Sequence, residues 1–177
     1  MRNAIVAGTI MLSLAAVPAL AQQAAKSADQ TFVVNVAKDG MAEVELGKLA
    51  TEKASRDDVK KFGQRMADDH SKANDELKSL AQTKGITLPS AVDAKDKAEH
   101  DRLAKLSGAP FDRAYMQHMV AGHRKAATAF RTESKTGKDS DVKAWAAKTL
   151  PTIEEHLKMA QDTAKDVGAV GTSGKKK

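Results

Sequence analysis

"RMADDHSKA", residues 65–73, places His70 one helical turn after Met66 in a stretch otherwise rich in charge. At 3.6 residues per turn, Val59, Phe62, Gly63, Met66, His70, Ala73, Leu77 and Leu80 share one apolar stripe, with His70 within about 20° of its centre. The stretch therefore predicts an amphipathic helix with a histidine on its core face. It starts after a Ser55 cap and ends near Lys84, where Gly85 stops it.

Residues 118–126, "HMVAGHRKA", echo the pattern. They belong to a second predicted helix from about Pro110 to Thr136, whose stripe is Phe111, Tyr115, Met119, Gly122, Ala126 and Phe130. His118 and His123 lie at opposite edges of that stripe, and His123 ranks first as the inward residue. A helix over 29–53 carries Phe32, Val36, Gly40, Glu43, Gly47, Ala50 and Ala54 on one face, and Glu45 looks away. A helix over 139–167 carries Val142, Trp145, Thr149, Ile153, His156, Leu157, Ala160 and Ala164, and Pro151 should kink it by removing the amide that would bond Ala147.

Strand-length alternation is missing, so the fold class is all-α. Four long helices, with a short amphipathic helix at 93–106 in a long link, predict an up-down-up-down four-helix bundle with one extended crossover. "TEKASRDDVKKFGQRM" from Thr51 resembles "TESKTGKDSDVKAWAAKTL" from Thr132, which points to a duplicated helical hairpin.

The flanks have their own signatures. "MRNAIVAGTIMLSLAAVPALA", residues 1–21, has the layout of a secretory signal, with cleavage expected after Ala21. Its apolar run is too short for a transmembrane anchor. Residues 22–28 read as a flexible N-terminus, 29–167 as the folded domain, and 168–177, ending "GTSGKKK", as a disordered basic tail able to touch an anionic envelope surface. The chain is thus expected outside the cytoplasm, in the periplasm or at the outer membrane of a bacterium.

The chain has 177 residues, no cysteine and a net charge of +6 with both signs interspersed, and only 3% of its residues are aromatic. These features exclude a disulfide framework, a thiolate metal site and covalent haem, and they argue against a nucleic-acid partner. Any metal must be held by His, Asp, Glu or Met.

Counting about 1.5 Å of rise per residue from each turn puts His70, His123 and His156 at nearly one level of the bundle. Glu43 sits roughly 6 Å nearer the first turn, and His118 about 7 Å below His123. One inward polar residue per helix is how bundles build metal sites, so Glu43, His70, His123 and His156 are the candidate metal ligands. Unpartnered, each would cost several kcal/mol, and a Glu–His network around a buried water is the competing reading. Asp69, Asp112 and Tyr115 are candidate supporting residues behind those ligands. Asp112 also reads as a first-turn acid and Tyr115 as a core ring. His100 is expected to be an exposed connector residue, and Met66 and Met119 core filler.

"EVELGKLA", "RMADDHSKAN", "GAPFDRAY", "MVAGHRKA" and "LPTIEEH", in that order, resemble the bacterial exported family called domain of unknown function 4142, sometimes labelled predicted outer-membrane proteins. The resemblance implies a ferritin-like four-helix bundle and brings no established activity. Its motifs fall on Glu43, His70, His123 and His156, with Asp69, Asp112 and Tyr115 nearby. Di-iron relatives use Glu-x-x-His on two helices, whereas Ala67 and Ile153 stand three residues before His70 and His156. The donor set therefore suits one zinc or copper ion better than a di-iron centre. Three functions are compatible with it: a binding or envelope-stress protein holding one transition metal, a metal-dependent oxidoreductase acting on an oxidant, or a metal-free structural or partner-binding bundle.

Overall fold

The computed structural model describes residues 16–169, with side chains from residue 28 onward. Residues 1–15 of the expected leader and 170–177 of the expected basic tail lie outside the described residues. Among those described there are five helices and no strand: α1 Ala16–Lys53, α2 Asp57–Lys84, α3 Ala94–Ala104, α4 Gly108–Thr136 and α5 Ser140–Asp166. No described helix is long and apolar enough to cross a membrane.

The helix ends follow local chemistry. Gly85 adopts φ 65°, which places the amides of Gly85 and Ile86 on the carbonyls of Gln82 and Ala81 and closes the last turn of α2. Gly168 repeats this after α5 at φ 67°, with Ala169 N–H bonded to the Ala164 carbonyl. Ala169 is buried and its carbonyl accepts from Gln117 Nε2 at 2.9 Å, so the packed domain runs two residues beyond the expected boundary at 167. Asp93 and Asp139 cap α3 and α5, each accepting two amides of the first turn.

The helical run of α1 begins at Ala16 and includes residues 22–28. The start of α2 and the role of Asp112 need correction. The residue before α2 is Arg56, not Ser55. Ser55 instead donates its backbone N–H to Asp112 Oδ1 at 3.0 Å and its hydroxyl to Asp112 Oδ2. Asp112 lies beyond the first turn of α4, and its carboxylate clasps the α1–α2 turn.

A mirror contact closes the other turn. Asp29 Oδ2 accepts the amides of Lys138, at 2.9 Å, and Asp139, at 2.6 Å, between α4 and α5. As many residues separate Asp29 from Ala54 as separate Asp112 from Gly137, so the two clasps occupy equivalent places in two hairpins. This reciprocity agrees with the duplication read from the turn sequences.

Helix α1 packs on α2 and α4 on α5, and the hairpins meet through α2 with α5 and α1 with α4. Ion pairs join α2 to α5 in reverse order along the chain: Arg65–Glu155 at 3.5 Å, Glu76–Lys148 at 2.9 Å, and Lys84 to Asp139 at 2.8 Å. Helix α5 continues unbroken through Pro151. The closest approach, between α1 and α2, is set by glycines: a Cβ on Gly47 would stand 2.6 Å from the Gly63 carbonyl oxygen, and one on Gly63 2.6 Å from the Ala50 Cβ.

The buried face of α1 is offset from the expected stripe. Val33, Ala37, Leu46 and Leu49 are buried, whereas Phe32, Val36 and Glu43 are only partly so. Helix α1 meets α2 on one side and α3 and α4 on the other, so its buried arc is wider than one stripe.

The core is divided. One apolar cluster contains Leu46, Phe62, Met66, Met119 and Ala160, and the other Ala37, Leu77, Ala127, Trp145 and Ile153. On α2, α4 and α5 the break between them falls at a histidine: His70 between Met66 and Leu77, His123 between Met119 and Ala127, and His156 between Ile153 and Ala160.

Candidate metal centre

The three histidines meet in that break. One ring nitrogen from each of His70, His123 and His156 lies within 4.8 Å of those from the other two. Their ring centroids are 5.7 Å (70–123), 5.4 Å (70–156) and 5.5 Å (123–156) apart. His123 and His156 are 1% exposed and His70 8%, so bulk water does not solvate the cluster.

Hydrogen bonds outside the cluster fix two of the tautomers. A carbonyl oxygen can only accept, so His123 Nδ1 carries the proton that it gives to the Met119 carbonyl at 3.0 Å. His156 Nε2 donates to Asp69 Oδ2 at 2.8 Å. The remaining nitrogens, His123 Nε2 and His156 Nδ1, are therefore lone-pair donors. Both are buried without a hydrogen-bond partner, as is His70 Nε2. Three orphaned ring nitrogens in one apolar break, two of them fixed as lone-pair donors, are costly unless something engages them.

Burial disfavours the charged form of two of the three rings, His70 and His156. It pushes the His70 pKa from 6.5 down to about 3, with further lowering from His123 and His156, and it also lowers His156. Burial alone would raise Asp69, but its bonds to Arg65 and His156 outweigh that and hold it below the usual carboxylate range. Because the unfolded His70 protonates below about pH 6.5 and the folded one only near pH 3, stability is full above pH 6.5 and lost as pH falls between those values. The thermal midpoint of metal-free protein should drop between pH 7 and pH 4, and drop less in His70→Phe. Equal slopes by calorimetry would contradict the buried, neutral state.

The other sequence candidates separate from the trio. Glu43 Oε1 is 3.8 Å from His123 Nδ1, on the protonated side of that ring, and Glu43 is not among the three converging residues. Its Oε2 is buried without a partner, and burial raises its pKa, with His123 opposing. Tyr115 is fully buried against Phe111 and Phe62, and its hydroxyl, also without a partner, is pushed up by burial and by Glu43. Asp112 serves the turn at Ser55 rather than the histidines. His118 turns away to Glu99 at 3.2 Å, which leaves His123 as the inward histidine of α4. His100 lies 3.5 Å from Asp101 on α3. Arg65 went unnoticed in the sequence although it stands four residues before Asp69, the spacing at which a helix pairs opposite charges.

Beside the trio, a cavity of about 900 Å³ opens between α1 and α4, with α3 at its rim and His70, His123 and Glu43 in its wall.

The fold and site define an all-α protein whose core is split by a buried layer of three histidines. The chain belongs to the family described as Domain of unknown function (DUF4142), which it matches over residues 15–163. Two solved structures share the fold. A DUF305 protein from Streptomyces coelicolor, described as secreted, is 15% identical with a TM-score of 0.69, covering 84% of this chain and 97% of its own. A conserved hypothetical protein, rv2844, from Mycobacterium tuberculosis is 17% identical with a TM-score of 0.59, covering 85% and 97%. No curated protein matches the chain.

Proposed function

We propose that this is an exported helical-bundle protein that binds one transition-metal ion, zinc or copper, through His70, His123 and His156. The observation that carries the reading is the set of three buried ring nitrogens, each without a partner, on rings that meet in one place. A neutral imidazole is a ligand for zinc and copper, and metal-bound histidines commonly give their other nitrogen to a carboxylate or backbone carbonyl. His156 does so with Asp69 and His123 with Met119. Metal–nitrogen bonds of about 2.0–2.1 Å require nitrogens roughly 3.3 Å apart in a tetrahedral site, so binding draws the rings together by an ångström or so. Three imidazoles leave a fourth position for water or another ligand.

The up-down-up-down, ferritin-like arrangement with α3 in the crossover belongs to this reading and is supported by the reverse order of the α2–α5 ion pairs. Export is supported by the leader-like first 21 residues and by the description of the Streptomyces relative as secreted.

Chelator-treated protein titrated with Zn²⁺ or Cu²⁺ should take up one equivalent and gain a few kcal/mol of stability at saturating ion. His123→Ala should lose the tight equivalent and the stabilisation. Uptake that is absent in the parent protein, or unchanged in His123→Ala, would favour a hydrogen-bonded network with no metal.

A further inference from the structure

We propose that the cavity between α1 and α4 binds a hydrophobic amine, with its ammonium group on Glu43 and its apolar body extended toward Phe32, Phe130 and Trp145. This site does not depend on the metal reading, because its head group is Glu43 and not the free histidine nitrogens.

The volume, about 900 Å³, lies at the upper end of the range of small-molecule pockets, and the wall surface is mainly apolar although charged and polar side chains also line it. At one end Phe32, Phe130 and Trp145 form a mutually packed aromatic group, with centroids 5.1, 6.5 and 5.6 Å apart. In the C-terminal part of α1, Glu43 Oε2 is buried with no hydrogen-bond partner, and among the described residues no Lys or Arg is paired with this carboxyl. Its nearest basic group, His123, has its Nδ1 proton engaged by the Met119 carbonyl. A buried carboxylate without a cation calls for one, and an ammonium supplies both the charge and the donor.

The charges at the rim offset one another: Asp39, Asp96 and Glu99 are met by Lys95, Lys125 and Arg102, the last paired with Glu99 at 2.6 Å, so the carboxyl left without a cation is the deeper one, Glu43. Gly122 lies beside Glu43 in the cavity wall: a Cβ there would touch only Glu43 Oε1, at 3.7 Å, so a larger side chain at 122 would grow into the space in front of that carboxyl. Phe130 lies about 12 Å of helix rise beyond Gly122, which sets an elongated body between head and rings.

Trp145 is the chain's single tryptophan and lines the cavity, so its emission reports occupancy. Metal-free protein is titrated with 4-phenylbutylamine, 4-phenylbutanol and 4-phenylbutyrate. A saturable change is expected with the amine, at least tenfold weaker binding of the alcohol, and none of the carboxylate at the same concentrations. Glu43→Gln should remove the preference for the amine over the alcohol, and Gly122→Leu should abolish binding while far-ultraviolet circular dichroism is unchanged. No saturable response to the amine, equal affinity for amine and alcohol in the parent protein, or full binding by a folded Gly122→Leu would each overturn the proposal. Because the histidines are metal-free throughout, neither result bears on zinc or copper binding.

Discussion

Asp69→Ala is expected to weaken zinc or copper binding by about 10- to 100-fold, the usual cost of losing the group behind a metal ligand, while the protein stays folded. Asp69 touches no free histidine nitrogen. Its Oδ2 takes the proton of His156 Nε2, which leaves the lone pair on Nδ1, the nitrogen that has no partner. Without Asp69 the ring can place its proton on either nitrogen and turn more freely, so part of the population no longer presents a ligand. Arg65 holds Asp69 from one turn away, and Arg65→Ala should act in the same direction with a smaller effect. Both side chains are partly exposed, so the thermal midpoint of the metal-free variants should stay near that of the parent. Affinities measured by competition with a chelating dye would decide it. An unchanged constant in Asp69→Ala would mean that His156 does not bind metal through Nδ1.

Asp112→Ala should be the most damaging single substitution outside the apolar core, costing about 2–4 kcal/mol. Asp112 is 1% exposed and accepts two hydrogen bonds from Ser55, each of a kind worth about 1.5–3 kcal/mol when one partner is charged. Truncation also leaves the Ser55 amide without its acceptor. For a domain of this size the loss corresponds to a fall of roughly 5–15 °C in thermal midpoint. The mirror variant, Asp29→Ala, should cost less. Glu133 lies against that clasp, and its pKa is raised from 4.5 to about 7 by burial first and by Asp29 next. Removing Asp29 relieves that repulsion and offsets part of the two lost amide contacts. Calorimetry of the two variants side by side tests the asymmetry, and equal losses would show that Glu133 does not feel Asp29.

The helices were legible because their ends are written locally. Gly85 and Gly137 follow the helices that they were expected to end, and α3 and α5 begin beside Asp93 and Asp139. The level of the histidines was legible too, since rise per residue and short turns fix heights along a bundle. What failed was whatever depends on a partner far away in the chain. Asp112 looked like a helix-dipole acid because nothing near it in the sequence mentions Ser55, and Ser55 looked like a cap because serine usually is one before a helix. Glu43 was read about 6 Å off the histidine level, a gap a side chain could close, but the wide contact arc of α1 places it in the wall of the α4 cavity instead. The Glu–His distance thus depends on a rotation of α1 that periodicity alone leaves open by a fraction of a turn.

The crossed aspartates carry a lesson about assembly. Each hairpin leaves the amides at its own tip open and covers those of the other, so neither half reaches its lowest energy alone. Two identical hairpins related by a twofold axis would close the same two contacts. Joining such a pair into one polypeptide would need only a connecting segment, the place that α3 now occupies. Once both copies sit in one chain they can diverge, and the histidines already differ between the halves: one on the first hairpin, two on the second.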